Sequence, residues 1–140
     1  MSIVRYFYRY RRRTRIKHSK KPLNKQDYLT RKEEARALII SRLEYFNQFY
    51  NFTYKRVSVR QQRTRWGSCS RQGNLNFNYR LLDLSPDISD YIIVHELCHL
   101  KEFNHSSRFW SLVAQIIPDY AARRAKLRQK PISNKLGFLL

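Results

Sequence analysis

The stretch Val94–His105, VHELCHLKEFNH, holds three of the chain's four histidines. Its first half is an H-E-x-x-H pattern at His95, Glu96 and His99. On a helix, two residues four apart lie about 40° from each other on one face, one turn above the other. Two imidazoles so placed can reach one ion from the same side. His105 follows His99 after five residues, so the helix must end between them for its ring to swing back. Asn104 suits a left-handed cap at that turn. Three nitrogen ligands at about 2.0–2.1 Å leave Zn²⁺ a fourth position for water, the arrangement of a catalytic site. Glu96, beside His95, is placed to act as general base on that water. Cys98, one turn from His95, is the alternative fourth ligand. It falls on the other side of His95 from His99, however, and a buried cysteine is usually a small apolar filler.

Outward from this motif, Ser85–Pro86 reads as a helix start, with Asp87 and Asp90 favourable near its positive end. Ile88, Tyr91, Ile92, Ile93, Val94, Leu97 and Leu100 make residues 87–103 apolar on most sides, which predicts the central buried helix. Ser106–Ser107 restart a helix carrying Phe109, Trp110, Val113 and Ile116, and Pro118 ends it. Residues 119–129 form a last, basic helix. Upstream, Ala35, Leu38, Ile39, Leu43, Phe46 and Phe49 follow helical spacing. Residues 27–50 are therefore one amphipathic helix, with Thr30 and Glu33 as its capping box. YKRVSVRQ (residues 54–61) and RQGNLNFN (residues 71–78) alternate apolar and polar residues, the pattern of half-buried strands. RTRWGSCS (residues 63–70) joins them, and Gln72–Gly73–Asn74 is a turn. Residues 3–10 read as an edge strand and residues 11–25 as an extended basic connection.

The boundaries that follow are a basic arm over residues 1–25, a domain over 26–130 and a tail over 131–140. Hydrophobic residues make up 42% of the 140, enough for one packed core. Two cysteines do not make a disulfide framework. No apolar run approaches the roughly 20 residues of a membrane span, and the arginine-rich N-terminus lacks the apolar region of a secretion signal. The expectation is a cytoplasmic protein with no membrane partner. The net charge is +19. Ten of the 29 Lys and Arg lie in residues 1–25, which contain no Asp or Glu. A basic arm on a basic domain points to a polyanion partner, nucleic acid first.

RTRWGSCS supports two readings. In one, Trp66, Gly67 and Ser68 contact substrate: Gly67 permits close backbone approach, Trp66 is an apolar wall, and the strand edge accepts an extended peptide. In the other, the segment is a tight bulge with a core tryptophan. Asn74, Asn76 and Asn78 serve equally as turn formers or substrate contacts. Tyr79, Arg65 and Arg108 are chemically suited to stabilise an oxyanion.

TRWGSCSRQGNLNFNYRLL (residues 64–82), DYIIVHELCHLKEFNHSSRFW (residues 90–110) and IIPDY (residues 116–120) together resemble the YgjP-like metallopeptidase domain family, over about residues 26–129. That family is related to zincin peptidases and, more distantly, to SprT-like proteases acting on DNA-linked proteins. The resemblance implies an α+β, zincin-like fold: a small antiparallel-type sheet on a central HExxH helix, followed by further helices. It also implies one Zn²⁺ on His95, His99 and His105, Glu96 as catalytic base, and a polypeptide substrate. Metzincins share the spacing to the third histidine but place Gly where this chain has Glu102, and no Met-turn is evident here. Two other functions compete. A nucleic-acid-binding module with structural zinc makes Glu96 dispensable, whereas a metal-dependent hydrolase of a non-peptide bond acts on esters, amides or phosphoesters.

Overall fold

The computed structural model describes residues 23–130. The expected strand over residues 3–10, most of the basic connection and the tail over 131–140 lie outside the described residues.

The first helix, α1, spans Lys25–Tyr50. Asn24 caps it, its side-chain oxygen accepting from the Asp27 amide at 2.8 Å, because an Asn at this position satisfies one of the orphan donors of the first turn. The helix thus starts before Asp27, and Thr30 and Glu33 lie inside it instead of forming a capping box. Of its apolar stripe, Ala35, Leu38, Ile39, Leu43 and Phe46 are buried, whereas Phe49, in the last turn, is exposed. The helix ends where Asn51 turns left-handed, at φ 55° and ψ 42°.

Three short strands follow: β1 (Arg56–Arg60), β2 (Gly67–Cys69) and β3 (Asn74–Asn78). Their order is β1-β3-β2, so β3 is central. The two expected strands, β1 and β3, pair parallel and not antiparallel, while β2, which arises in the expected connection, pairs antiparallel with β3. The mixed sheet arises because RTRWGSCS contains a strand of its own. The chain reverses into β2 and again into β3, which leaves β1 and β3 running the same way. The second reversal uses Gly73, whose φ of 82° suits glycine. Leu75 and Phe77 of β3 point into the core and are fully buried, the period-2 consequence of the pleat.

Asn78 resolves one ambiguity. It is fully buried and its amide donates to the carbonyls of Gln62 at 2.9 Å and Arg65 at 3.1 Å. Its side-chain oxygen accepts from the Arg80 amide at 3.1 Å, starting the 3-10 helix Tyr79–Asp83. Asn78 therefore clamps the loop that leads into β2. Asn74 pairs with Arg56 of β1 and Asn76 with Ser68 of β2, Asn76 donating to the Ser68 hydroxyl at 3.4 Å.

The central helix, α2, spans Pro86–Cys98, and every residue from Tyr91 to Cys98 is buried. Arg42 ties α1 to it by donating to both oxygens of Asp90, at 2.8 and 2.9 Å. The helix stops at Cys98 instead of running to 103. The Leu100 amide bonds the Leu97 carbonyl at 3.1 Å and the Glu102 amide bonds that of Cys98 at 3.0 Å, so the ladder closes into a turn. Asn104 is not its left-handed cap, since Asn51 holds the one positive φ among described non-glycine residues. The Asn104 side chain instead accepts from the Ser106 amide at 3.2 Å, bending the chain into α3 (Ser107–Ile116). The last helix, α4, spans Tyr120–Arg128. No helix among the described residues is long and apolar enough to cross a membrane.

Asn78→Ala removes three hydrogen bonds and strands two carbonyls near the core. Net losses of this kind run about 1 kcal/mol each, more where a partner is left buried. The expected cost is roughly 2–4 kcal/mol of unfolding free energy, seen as a lower denaturant midpoint at unchanged slope.

Candidate metal centre

The site forms where α2 ends. His95 occupies the last full turn of α2 and His99 its C-cap, so they keep the one-turn spacing even though the helix ends there. His105 comes from the loop before α3. Its Nε2 lies 3.1 Å from His95 Nε2, and His99 Nε2 lies 3.1 Å from the same atom. A tetrahedron of Zn–N bonds of about 2.0–2.1 Å has edges of roughly 3.3 Å, close to these separations. Hydrogen bonding does not account for the convergence. His95 Nε2 has either one proton or one lone pair, and two neighbouring nitrogens face it. A cation shared by three lone pairs satisfies all of them. Among the described residues these three form the cluster of metal-ligating side chains.

The far ring nitrogens also have partners. His99 Nδ1 lies 2.9 Å from the Glu102 carbonyl. A carbonyl can only accept, so Nδ1 carries the proton and Nε2 keeps its lone pair for a metal. His95 Nδ1 lies 3.4 Å from the Tyr91 hydroxyl, one turn earlier on α2. Burial holds His95 well below the usual imidazole range, with His99, His105 and Arg124 adding to the shift. Burial also lowers His99 and His105, and Arg124 lowers His105 further. All three are thus kept neutral, the form that ligates.

Glu96 faces the same space. It is 2% exposed, and burial pushes its carboxyl up to about 8, against the opposing charge of Arg65. Strand β2 passes directly over it. A Cβ on Gly67 would lie 2.8 Å from Glu96 Cγ and 3.0 Å from Oε1. The close approach that a glycine permits here is therefore to the carboxylate of α2. A cavity of about 220 Å³ opens beside these groups. It is lined by His95, Glu96 and His99 below, by Arg65, Gly67, Ser68 and Cys69 along β2, and by Phe103 at the mouth.

Of the three residues taken as substrate contacts, Gly67 and Ser68 line this cavity. Trp66 is 6% exposed and packed in the core, where the bulge reading put it. Of the three oxyanion candidates only Arg65 borders the cavity. Tyr79 is in the core against Tyr28, and Arg108 is exposed on the first turn of α3. Cys98 is buried, its thiol pushed up to about 12 by burial. It does not belong to the histidine cluster. Sequence reasoning missed Tyr91, Arg124 and Phe109. The four-residue spacing from Tyr91 to His95 was a visible signal, whereas Arg124 arrives from a distant helix.

A helix with H-E-x-x-H, a third histidine after its end, and a strand crossing the glutamate define a metallopeptidase arrangement on an α+β frame. The YgjP-like, metallopeptidase domain family matches residues 7–130, and the chain belongs to it. The fold is shared with the solved metallopeptidase zymogen of Pyrococcus abyssi abylysin. The TM-score is 0.60 at 24% identity, over 66% of this chain and 93% of that one. The metallopeptidase zymogen of Methanocaldococcus jannaschii jannalysin is similar at TM-score 0.58 and 20% identity, over 66% of this chain and 95% of that one. No curated protein sequence matches significantly.

Gly67→Ala places a methyl group against Glu96, and one of the two must move. A shift of about 1 Å in a reacting group can cost on the order of 10²-fold in rate. The variant is expected to fold and to keep its metal content while its peptidase rate falls by about that factor. A rate within twofold of the parent would show that Glu96 does not depend on this contact.

Proposed function

We propose that this metallopeptidase uses zinc held by His95, His99 and His105, with Glu96 as general base. The observation that carries the reading is the convergence of three imidazole nitrogens beside a buried carboxylate, with His95, His99 and Glu96 lining one open cavity. When bound, zinc would supply Lewis acidity to the scissile carbonyl and to water, and its charge would favour the ionised form of Glu96, whose carboxyl burial raises to about 8. Glu96 then accepts the proton of the attacking water at a carboxylate oxygen and passes it to the leaving amine. Its burial excludes competing solvent, and Gly67 holds β2 above it. Arg65 supplies a positive charge at the same rim.

Among the described residues β2 pairs with β3 alone, which leaves its outer edge for an extended polypeptide to add as a further strand. Gly67 and Ser68 would then contact the substrate backbone. Phe103, 46% exposed at the cavity mouth, offers an apolar surface to a substrate side chain. Residues 45–82, which carry the three strands, hold seven Lys and Arg and no Asp or Glu, with Arg65 at the cavity itself. That charge favours polypeptides that are acidic or carried on nucleic acid. Family membership favours a peptide bond over an ester or phosphoester.

Purified protein is expected to hold about one zinc per chain. His105→Ala should lose most of it, because the two ligands at the end of α2 cannot enclose the ion. Undiminished zinc content in that variant would assign the third position to another group.

Glu96→Gln keeps size and hydrogen-bonding capacity but cannot accept the proton. A folded, zinc-loaded protein is expected, with a rate on unfolded polypeptides lower by about 10²–10⁴-fold. Retained peptidase activity in the zinc-loaded variant would sink the role of Glu96. Retained folding and nucleic-acid binding by a parent protein that cleaves no peptide would favour structural zinc.

A further inference from the structure

Phe109, on the first turn of α3 and 0% exposed, touches all three histidines. Its ring centroid lies 4.8 Å from His95 edge-on, 4.5 Å from His99 in a stack at 23°, and 5.0 Å from His105 edge-on. Trp110, the next residue, lies near parallel to His105 at 5.7 Å and 22°. The indole is also packed from α4: Tyr120 stacks on it at 4.9 Å and 14°, and the Arg124 guanidinium sits 5.0 Å from its centroid. His105 itself is exposed and lies outside any helix, so its backbone alone does not hold its ring.

We propose that Phe109 and Trp110 position the metal ligands, Phe109 as a common wall for the three imidazoles and Trp110 as a clamp that fixes His105. This rests on the reading of the histidines as ligands. Imidazoles free to turn about their side-chain torsions must be ordered when an ion binds, and ligands held by packing are ordered beforehand. Aromatic rings suit the task because stacked and edge-on contacts are directional and a phenyl ring brings no donor that competes with the metal.

The test is zinc affinity of the full chain, by competition with a chromogenic chelator, with the visible spectrum of bound Co²⁺ as a report on ligand geometry. Trp110→Ala is expected to weaken zinc by about 10–100-fold, the range seen when groups that orient ligands are removed, with an altered Co²⁺ spectrum and unchanged far-ultraviolet circular dichroism. Trp110→Phe restores a flat ring and should recover most of the affinity. Phe109→Leu keeps apolar bulk and should weaken zinc over the same range; if that variant does not fold, the Trp110 pair decides. Parent-like affinity and spectrum in Trp110→Ala would overturn the proposal, as would a Trp110→Phe variant no better than Trp110→Ala. A parent protein that binds no zinc would instead remove the ligand reading on which it stands.

Discussion

Glu96 and His95 lie on the most buried helix of the protein, and the surrounding structure answers to the burial of these two groups. A carboxylate taken out of water is strongly disfavoured in its charged form unless a positive charge is near. Glu96 responds with a carboxyl raised to about 8, and the three histidines respond by staying neutral. On the proposed reading, a cation held by the imidazoles would favour the ionised form of Glu96 while using the lone pairs that neutrality leaves open. Metal binding and ionisation of Glu96 would thereby be linked, each favouring the other.

That linkage needs three separate pieces of chain in one place. The end of α2 brings two imidazoles and the carboxylate. The loop after it brings the third imidazole, bent back by the Asn104 side chain. Strand β2 covers the carboxylate, and it can do so because position 67 has no Cβ. Each piece is anchored away from the site: α2 to α1 by the bidentate Arg42–Asp90 pair, and the approach to β2 by the buried Asn78 amide. The site is thus held from several anchored elements, and Arg65 and Phe103 border its cavity.

Family membership and the shared fold with two metallopeptidase zymogens agree with the chemistry of these groups. The match from residue 7 to 130 reaches well into the basic N-terminal stretch, so most of that stretch lies within the span of the family.

The sequence by itself determined the helices and the identity of the chemical groups. Helical periodicity is a local signal, and it marked α1, α2, α3 and α4 and the burial of α2 within a few residues. The spacing of His95, Glu96 and His99 on one helix carried their shared face, because 3.6 residues per turn requires it. Tertiary structure decided the remainder, because those choices depend on partners far along the chain. Strand direction was one: RTRWGSCS holds only three residues of strand, too short to show a period, and its pairing with β3 made the sheet mixed. The role of Trp66 was another, since a tryptophan beside a glycine fits a core or a cleft equally well until the neighbouring helices are placed. Gly67 showed only that something approaches closely; that it is Glu96 follows from the packing of β2 on α2. The end of α2 at Cys98 was hidden because Leu100 and Phe103 continue an apolar helical pattern, while the backbone turns so that His105 can come within 3.1 Å of His95.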